Sequence, residues 1–260
     1  MKTSKMLLLS GVALCCSAIS SCTSSDSDEL SFMEPGTGVV VFQLASTTEF
    51  PTASRAALNE EDYRNVANYD VQLIDNATGT TKETWKGNAI PTEKLKLKNG
   101  GYTLKAFYGD PTVAASTEKM YVYGERTFNV NSDEQEVSVT CTPTCARVKV
   151  EFDAAMDTYY SAYSVRFSTQ ALGAGSIAWS GSPIYLKVAQ KESVKATISL
   201  TDKSGKSTSI ERSYEMSPNE GKLIKFKPVL QGGQLGITIT VDESTNDKPI
   251  DIIIPSEWIL

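Results

Sequence analysis

From Gly38 onward the chain never sustains a helical period. Apolar residues recur at every second position in short runs, broken by glycine, proline, asparagine and serine at intervals of roughly ten residues. A chain punctuated in this way buries its apolar faces by stacking strands into sheets, so the expected fold is all-β, built as β-sandwiches.

The runs can be followed along the chain. Gly38 to Leu44 is apolar on both faces, as a strand inside a sandwich would be. Tyr69, Val71 and Leu73 alternate, Trp85 is the inward residue of Lys82 to Lys86, and Leu95 and Leu97 form a further alternation. Asn99-Gly100-Gly101 turns the chain into Tyr102 to Tyr108, with Tyr102, Leu104, Ala106 and Tyr108 on one face and Thr103, Lys105 and Phe107 on the other. Met120 to Tyr123, Arg126 to Val130 and Glu136 to Cys141 complete a first half that ends near Pro143. The second half repeats the grammar: Val148, Val150 and Phe152; one helical turn within Asp153 to Tyr160; Tyr163, Val165 and Phe167; Val194 to Leu200; a turn at Asp202-Lys203-Ser204-Gly205; then Ser209 to Met216, Ile224 with Phe226, and Ile237 to Val241. Between Ala45 and Asn65 no periodicity is visible, and Arg55 stands in the middle of that stretch.

The N-terminus is of another kind. Lys2 and Lys5 precede an apolar run, Met6 to Ile19, too short and too broken to span a bilayer but suited to the h-region of a secretory signal. Ile19-Ser20-Ser21-Cys22 follows, an order that resembles the lipobox of bacterial lipoproteins, in which the cysteine takes the lipid and begins the mature chain. Residues 1–21 then form the signal and 22–36 an acidic tether, Thr23 to Glu29 having nothing to bury. That acidic, serine-rich stretch resembles the address that sends lipoproteins to the outer face of the outer membrane, and serves equally as a plain spacer.

About 240 residues remain, enough for two domains of about 100 to 120 residues each, expected at 37–143 and 144–260. Loss of the two signal lysines takes the formal charge from −6 to about −8, so nucleic acid is not an expected partner. Histidine is absent throughout. That removes serine–histidine and cysteine–histidine nucleophiles and every histidine-ligated metal site. No cofactor, metal site or catalytic residue is expected, and the protein is read as a non-enzyme. Only Cys141 and Cys145 remain in the folded part. Four positions apart along a strand lie about 13 Å from each other, beyond disulfide reach, although Pro143 can fold the segment; a bridge and two buried thiols both stay open.

Three features carry candidate chemistry. Glu60-Glu61-Asp62 is read as solvated surface, because adjacent carboxylates in turn-like sequence are what an exposed turn uses. Tyr159, Tyr160 and Tyr163 with Trp179 are candidate glycan contacts, since aromatic faces stack on sugar rings, but such residues routinely fill a sandwich core or its rim, and that is the role expected first. The apolar stretch Pro249 to Leu260 presents Ile250, Ile252, Ile254 and Trp258 either as a last strand or as a strand that pairs with a neighbouring subunit.

With the Cys22 lipobox, the acidic leader, the loop at Arg55, the strand Asn99 to Ala106 and the passage Cys141 to Phe152 in view, the chain resembles a lipoprotein family of Gram-negative gut bacteria, catalogued as a domain of unknown function and similar to the fimbrillin-like adhesins. The resemblance implies two tandem transthyretin-like β-sandwiches of the immunoglobulin-like topology class, lipid anchoring in the outer membrane with cell-surface exposure, and a role in adhesion or as a fimbria-like pilus subunit or anchor. It further implies donor-strand exchange: a trypsin-like protease cuts after Arg55, the first strand Val39 to Leu44 leaves, and a neighbour's Ile250 to Leu260 enters the groove. Other pilin subunits or a host or bacterial surface ligand are the partners it implies. The alternative reading is a glycan-binding accessory lipoprotein of a polysaccharide-uptake system.

Overall fold

The computed structural model describes residues 36–47, 50, 58–131, 133–242 and 250–253. They lie in one compact unit. Eleven elements build the first half: β1 (Thr37–Ser46), α1 (Glu60–Arg64), a 3-10 turn (Val66–Asn68), β2 (Asp70–Asp75), β3 (Thr80–Lys86), a second 3-10 turn (Gly87–Ala89), β4 (Leu95–Lys98), β5 (Gly100–Gly109), β6 (Ala115–Ser116), β7 (Tyr121–Val130) and β8 (Glu134–Pro143). The second half holds β9 (Cys145–Phe152), α2 (Met156–Tyr159), β10 (Tyr160–Ser168), a 3-10 turn (Gln170–Leu172), β11 (Ile177–Ala178), β12 (Ile184–Lys187), β13 (Glu192–Asp202), β14 (Ser207–Met216), β15 (Gly221–Gln231), β16 (Gln234–Asp242) and β17 (Ile250–Ile253). The fold is all-β, and the described residues hold two helices of a single turn or little more, as the period-two pattern dictates.

Strands of the first half follow the order β3-β2-β5-β7-β8-β1-β4. Its continuity from β7 to β8 rests on two residue pairs, Val122 with Pro143 and Tyr123 with Thr142. The sheet folds over at that junction: Phe42 of β1 lies 6.0 Å from Trp85 of β3, five places away in strand order. Val40, Phe42, Leu73, Leu104, Val122, Phe128, Val137 and Val139 fill the space between the two leaves. In the second half a four-stranded sheet, β11-β10-β13-β14, faces a six-stranded one, β17-β16-β15-β9-β12-β6, across a core of Val148, Val165, Phe167, Ile184, Ile198, Phe226 and Ile237. The two hydrophobic clusters meet at Cys145 and Ala146, which belong to different cores although they are neighbours in the chain.

Among the described residues two strand pairs are parallel, β1 with β8 and β9 with β15; the others are antiparallel hairpins and ladders. A parallel partner cannot be reached through a tight turn, so in each half an early strand waits for one that comes much later. The halves are also stitched together. The short strand β6 leaves the first half to pair with Tyr185 and Leu186 of β12.

Local departures from the sequence reading have identifiable causes. Met120 to Tyr123 and Arg126 to Val130, read as two strands, are the single strand β7 running through Gly124. A Cβ on Gly124 would stand 2.5 Å from the Thr140 carbonyl oxygen, so glycine there permits the close approach of β8. The stretch Ala45 to Asn65, read as irregular, contains the end of β1 and the helix α1. Asn59 caps that helix by accepting from the Glu61 backbone N–H, and Glu60, Glu61 and Asp62 place negative charge in its first turn.

Cys141 and Cys145 are both free and buried, and the Cys141 thiol donates to the Ala106 carbonyl at 3.5 Å. Burial pushes both thiols up to about 12. The folded state thus favours the neutral thiols, a contribution fully present below the unfolded thiol range of about 8.5 and lost as pH rises through it toward the folded values. We expect a denaturation midpoint that is level near neutral pH and falls progressively above about pH 9. Peptide mapping after alkylation near neutral pH checks the same burial: Cys141 and Cys145 are labelled in urea and spared in the native protein.

Candidate functional site

The element with the most unusual position is the first strand. β1 is an interior strand, held on one side by β4 over Thr37 to Val40 and on the other by β8 over eight consecutive pairs, Val39 with Glu134 through Ser46 with Cys141. Its side chains alternate between the core and a half-buried outer face: Val40 and Phe42 are fully enclosed. Phe42 packs edge-on to Phe128 at 6.1 Å in addition to its contact with Trp85. Gly38 fits the start of the strand against Asn131, where a Cβ would come within 1.8 Å of the carbonyl oxygen. Removal of β1 would expose about 1.5 to 3 kcal/mol of apolar burial for each of Val40 and Phe42 and leave facing rows of backbone groups on β4 and β8 unpaired.

A polar latch closes the far end of the strand. The Ser46 hydroxyl donates to the Tyr63 carbonyl at 2.8 Å and lies 2.7 Å from the Tyr69 hydroxyl, which itself reaches that carbonyl at 2.6 Å. Thr47 donates its N–H to the Cys141 carbonyl at 3.0 Å. Tyr108 supports both tyrosines, its ring 4.8 Å from Tyr63 and 5.7 Å from Tyr69. Burial pushes the Tyr69 phenol well above its ordinary range, so it stays a neutral donor.

Beyond the latch the chain reaches the second half. Phe50 lies under the Arg147 guanidinium at 5.2 Å and beside Tyr185 at 5.8 Å. Arg147 Nη1 bonds Glu60 Oε1 at 2.9 Å, and the Tyr185 hydroxyl donates to the same oxygen at 2.8 Å. Side-chain exposure is only 6% for Arg147 and 14% for Glu60, so this ion pair works in a low-dielectric setting. Burial first, and then the bond to the Glu60 carboxylate, push the Tyr185 phenol up. Glu60 corrects the sequence reading. Glu61 does face solvent and pairs with Arg64 at 2.7 Å, but Glu60 turns inward because α1 sets the two side chains about 100° apart. The missed signal lies in β9, where Arg147 stands between the buried residues Ala146 and Val148 and needs an anion.

The remaining candidates are dispersed. Ile250 to Ile253 forms β17, antiparallel to Gly236 to Ile239 of β16, with Ile252 packed on the second core. Tyr160 is enclosed, its hydroxyl bonded to the Gly236 carbonyl at 3.0 Å, which removes the ring from ligand reach in this conformation. Tyr159, Tyr163 and Trp179 pack at the rim of the same core; Phe152 brings the last two together, 4.6 Å from Tyr163 and 5.5 Å from Trp179. Cys22, Arg55, Ile254 and Trp258 lie outside the described residues. Among the described residues there is no cluster of metal-ligating side chains, and no helix is long and apolar enough to cross a membrane. Replacing Arg147 by Met, which strands the Glu60 carboxylate, is expected to lower stability by about 3 kcal/mol, whereas the double variant Glu60→Leu/Arg147→Met regains more than half of that loss; urea unfolding of the two proteins checks it.

A family model described as a domain of unknown function, DUF4493, matches residues 36–256. No match was found among curated proteins. Among solved structures, a candidate polysaccharide-binding protein from Bacteroides thetaiotaomicron is similar at 12% identity over 85% of this chain and 99% of its own, with a TM-score of 0.47. A fimbrial assembly protein from Parabacteroides distasonis is similar at 12% identity, 83% and 98% coverage and a TM-score of 0.42. The fimbrial anchor protein from Porphyromonas gingivalis is similar at 12% identity, 80% and 98% coverage and a TM-score of 0.45. With the family model spanning both hydrophobic cores, the chain belongs to the DUF4493 family.

Proposed function

We propose that this protein is a cell-surface lipoprotein of adhesion or fimbria-like assembly, held in the outer membrane by a lipid on Cys22 and built of two domains, 37–143 and 144–260. The supporting observation is the position of β1: an interior strand at the N-terminal side of the fold, enclosed through Val40 and Phe42, that a single cut downstream would free. In this reading cleavage follows Arg55, β1 departs with the lipidated N-terminus, and the groove between β4 and β8 takes a replacement strand. Backbone pairing along β8 supplies affinity, and the pockets vacated by Val40 and Phe42 set the register. The donor is the C-terminal strand of another copy. β17 suits that task because β16 is its one strand partner among the described residues, so its departure breaks a single ladder.

Anchoring and polymerisation are then alternative states of one molecule. Before the cut Cys22 ties the chain to the membrane; after it, the body is held by its neighbours. The Ser46 latch and the Phe50 contacts give the intact state its stability, since Ser46 and Phe50 belong to the departing side while Tyr63, Tyr69, Arg147 and Tyr185 stay behind.

Limited trypsin treatment of the full chain in mild detergent, followed by N-terminal sequencing, is expected to give a body that begins at residue 56 and forms concentration-dependent oligomers. Deleting 250–260 should abolish the oligomers and leave the cut intact. No preferential cleavage after Arg55 would overturn the reading.

A further inference from the structure

Three aromatic rings stand together on the outward face of the first half. Along β5 the residues Tyr102, Leu104 and Ala106 turn to the core, so Phe107 turns away from it. Directly across on β7 is Tyr123, and Tyr121 projects from the same face two residues earlier. The Tyr121 and Tyr123 rings are stacked, 6.0 Å apart with planes 26° from parallel, and Tyr121 lies 6.4 Å from Phe107. All three are half-buried, and none is counted in either core.

Strand register surrounds the rings with polar groups. Beside Phe107 on β2 is Asp70, joined to Lys86 of β3 at 2.5 Å. One row along, Lys105 of β5 faces Glu125 of β7 at 3.7 Å, with Gln72 next to it on β2. Tyr123 donates its hydroxyl to the Glu125 carboxylate, and Thr142 of β8 borders it on the other side.

We propose that this face binds a neutral saccharide, with pyranose rings laid on Tyr121, Tyr123 and Phe107 and their hydroxyls bonded to Gln72, Asp70 and Glu125. A pyranose carries C–H groups on its flat faces and hydroxyls around its edge, which matches an aromatic stripe inside a frame of carboxylate, amide and ammonium groups. The charges in the frame cancel in pairs, Asp70 against Lys86 and Glu125 against Lys105, so no net field recruits a charged ligand. A folded protein partner fits poorly. Three half-buried rings interrupted by ion pairs fall far short of the roughly 800 Å² per partner that a stable interface needs. The stripe is distinct from Tyr159, Tyr160 and Trp179, which the second core occupies. The proposal rests on the adhesin reading only for its biological setting, and strand exchange is not required by it.

Native affinity electrophoresis of the full chain through gels containing starch, laminarin, xyloglucan or galactomannan tests it, with polygalacturonate as the charged comparison. At least one neutral glycan should retard the protein; Phe107→Ala and Tyr121→Ala/Tyr123→Ala should each weaken that interaction about tenfold, and Tyr159→Ala should leave it unchanged. Hydrogen exchange of the unmodified chain with the retarding glycan should show new protection at 103–107 and 121–125, a readout that survives any instability of the variants. Retardation by none of the neutral glycans, by polygalacturonate alone, or protection confined to other strands overturns the assignment. Run on the same preparations, trypsin separates the two ideas. Normal cleavage without glycan retention removes this face alone, and retention without cleavage at Arg55 removes strand exchange alone.

Discussion

The parallel pairing of β1 with β8 is the constraint on which the first half depends. An interior strand satisfies two neighbours at once, so the backbone groups of β4 and β8 and the enclosure of Val40 and Phe42 all rely on one ten-residue segment at the N-terminal side. Because the pairing is parallel, β1 is linked to β8 only through nearly ninety residues of intervening chain. Strand and body are thus strongly complementary and weakly connected. Such a strand is held by its two ladders and its enclosed side chains rather than by a short turn to either neighbour.

The contact between the halves is made by chemistry that a sandwich core normally excludes. Arg147 sits on a strand whose neighbours are enclosed, and a buried cation is tolerable only with a partner and several hydrogen bonds. Glu60 of α1 pairs with it, the ring of Phe50 covers it, and the Tyr185 hydroxyl of β12 donates to the same Glu60 oxygen. The consequence is geometric. Phe50, after β1, and Glu60, at the start of α1, thus meet the same two residues of the second half.

Much of the strand plan was legible in the sequence because the side-chain period of a strand is two, and that period survives in the letters. The runs at Val71 to Leu73, Tyr102 to Tyr108 and Val194 to Leu200 fall in β2, β5 and β13, and Tyr69 stands immediately before β2. The Asp202 turn was legible for a local reason as well, its carboxylate accepting from the N–H groups of Ser204 and Lys206. The runs Met120 to Tyr123 and Arg126 to Val130 are one strand because Gly124, which adds no side chain to the alternation, stands where β8 comes close. The site was less legible. Glu60 is one carboxylate in a run of three, and which of them turns inward depends on the phase of a five-residue helix.

By itself, the sequence determined the class of fold, the face on which most side chains lie and, through the absence of histidine, which chemistries are closed to the chain. Those properties follow from alternation and residue type, which act locally. Tertiary structure alone decided that the first strand lies between β4 and β8, that Arg147 meets Glu60, and that Phe107 shares a face with Tyr121 and Tyr123. Strand order and register bring together residues as distant in the chain as Val39 and Glu134, and no local pattern encodes which distant partner a strand selects.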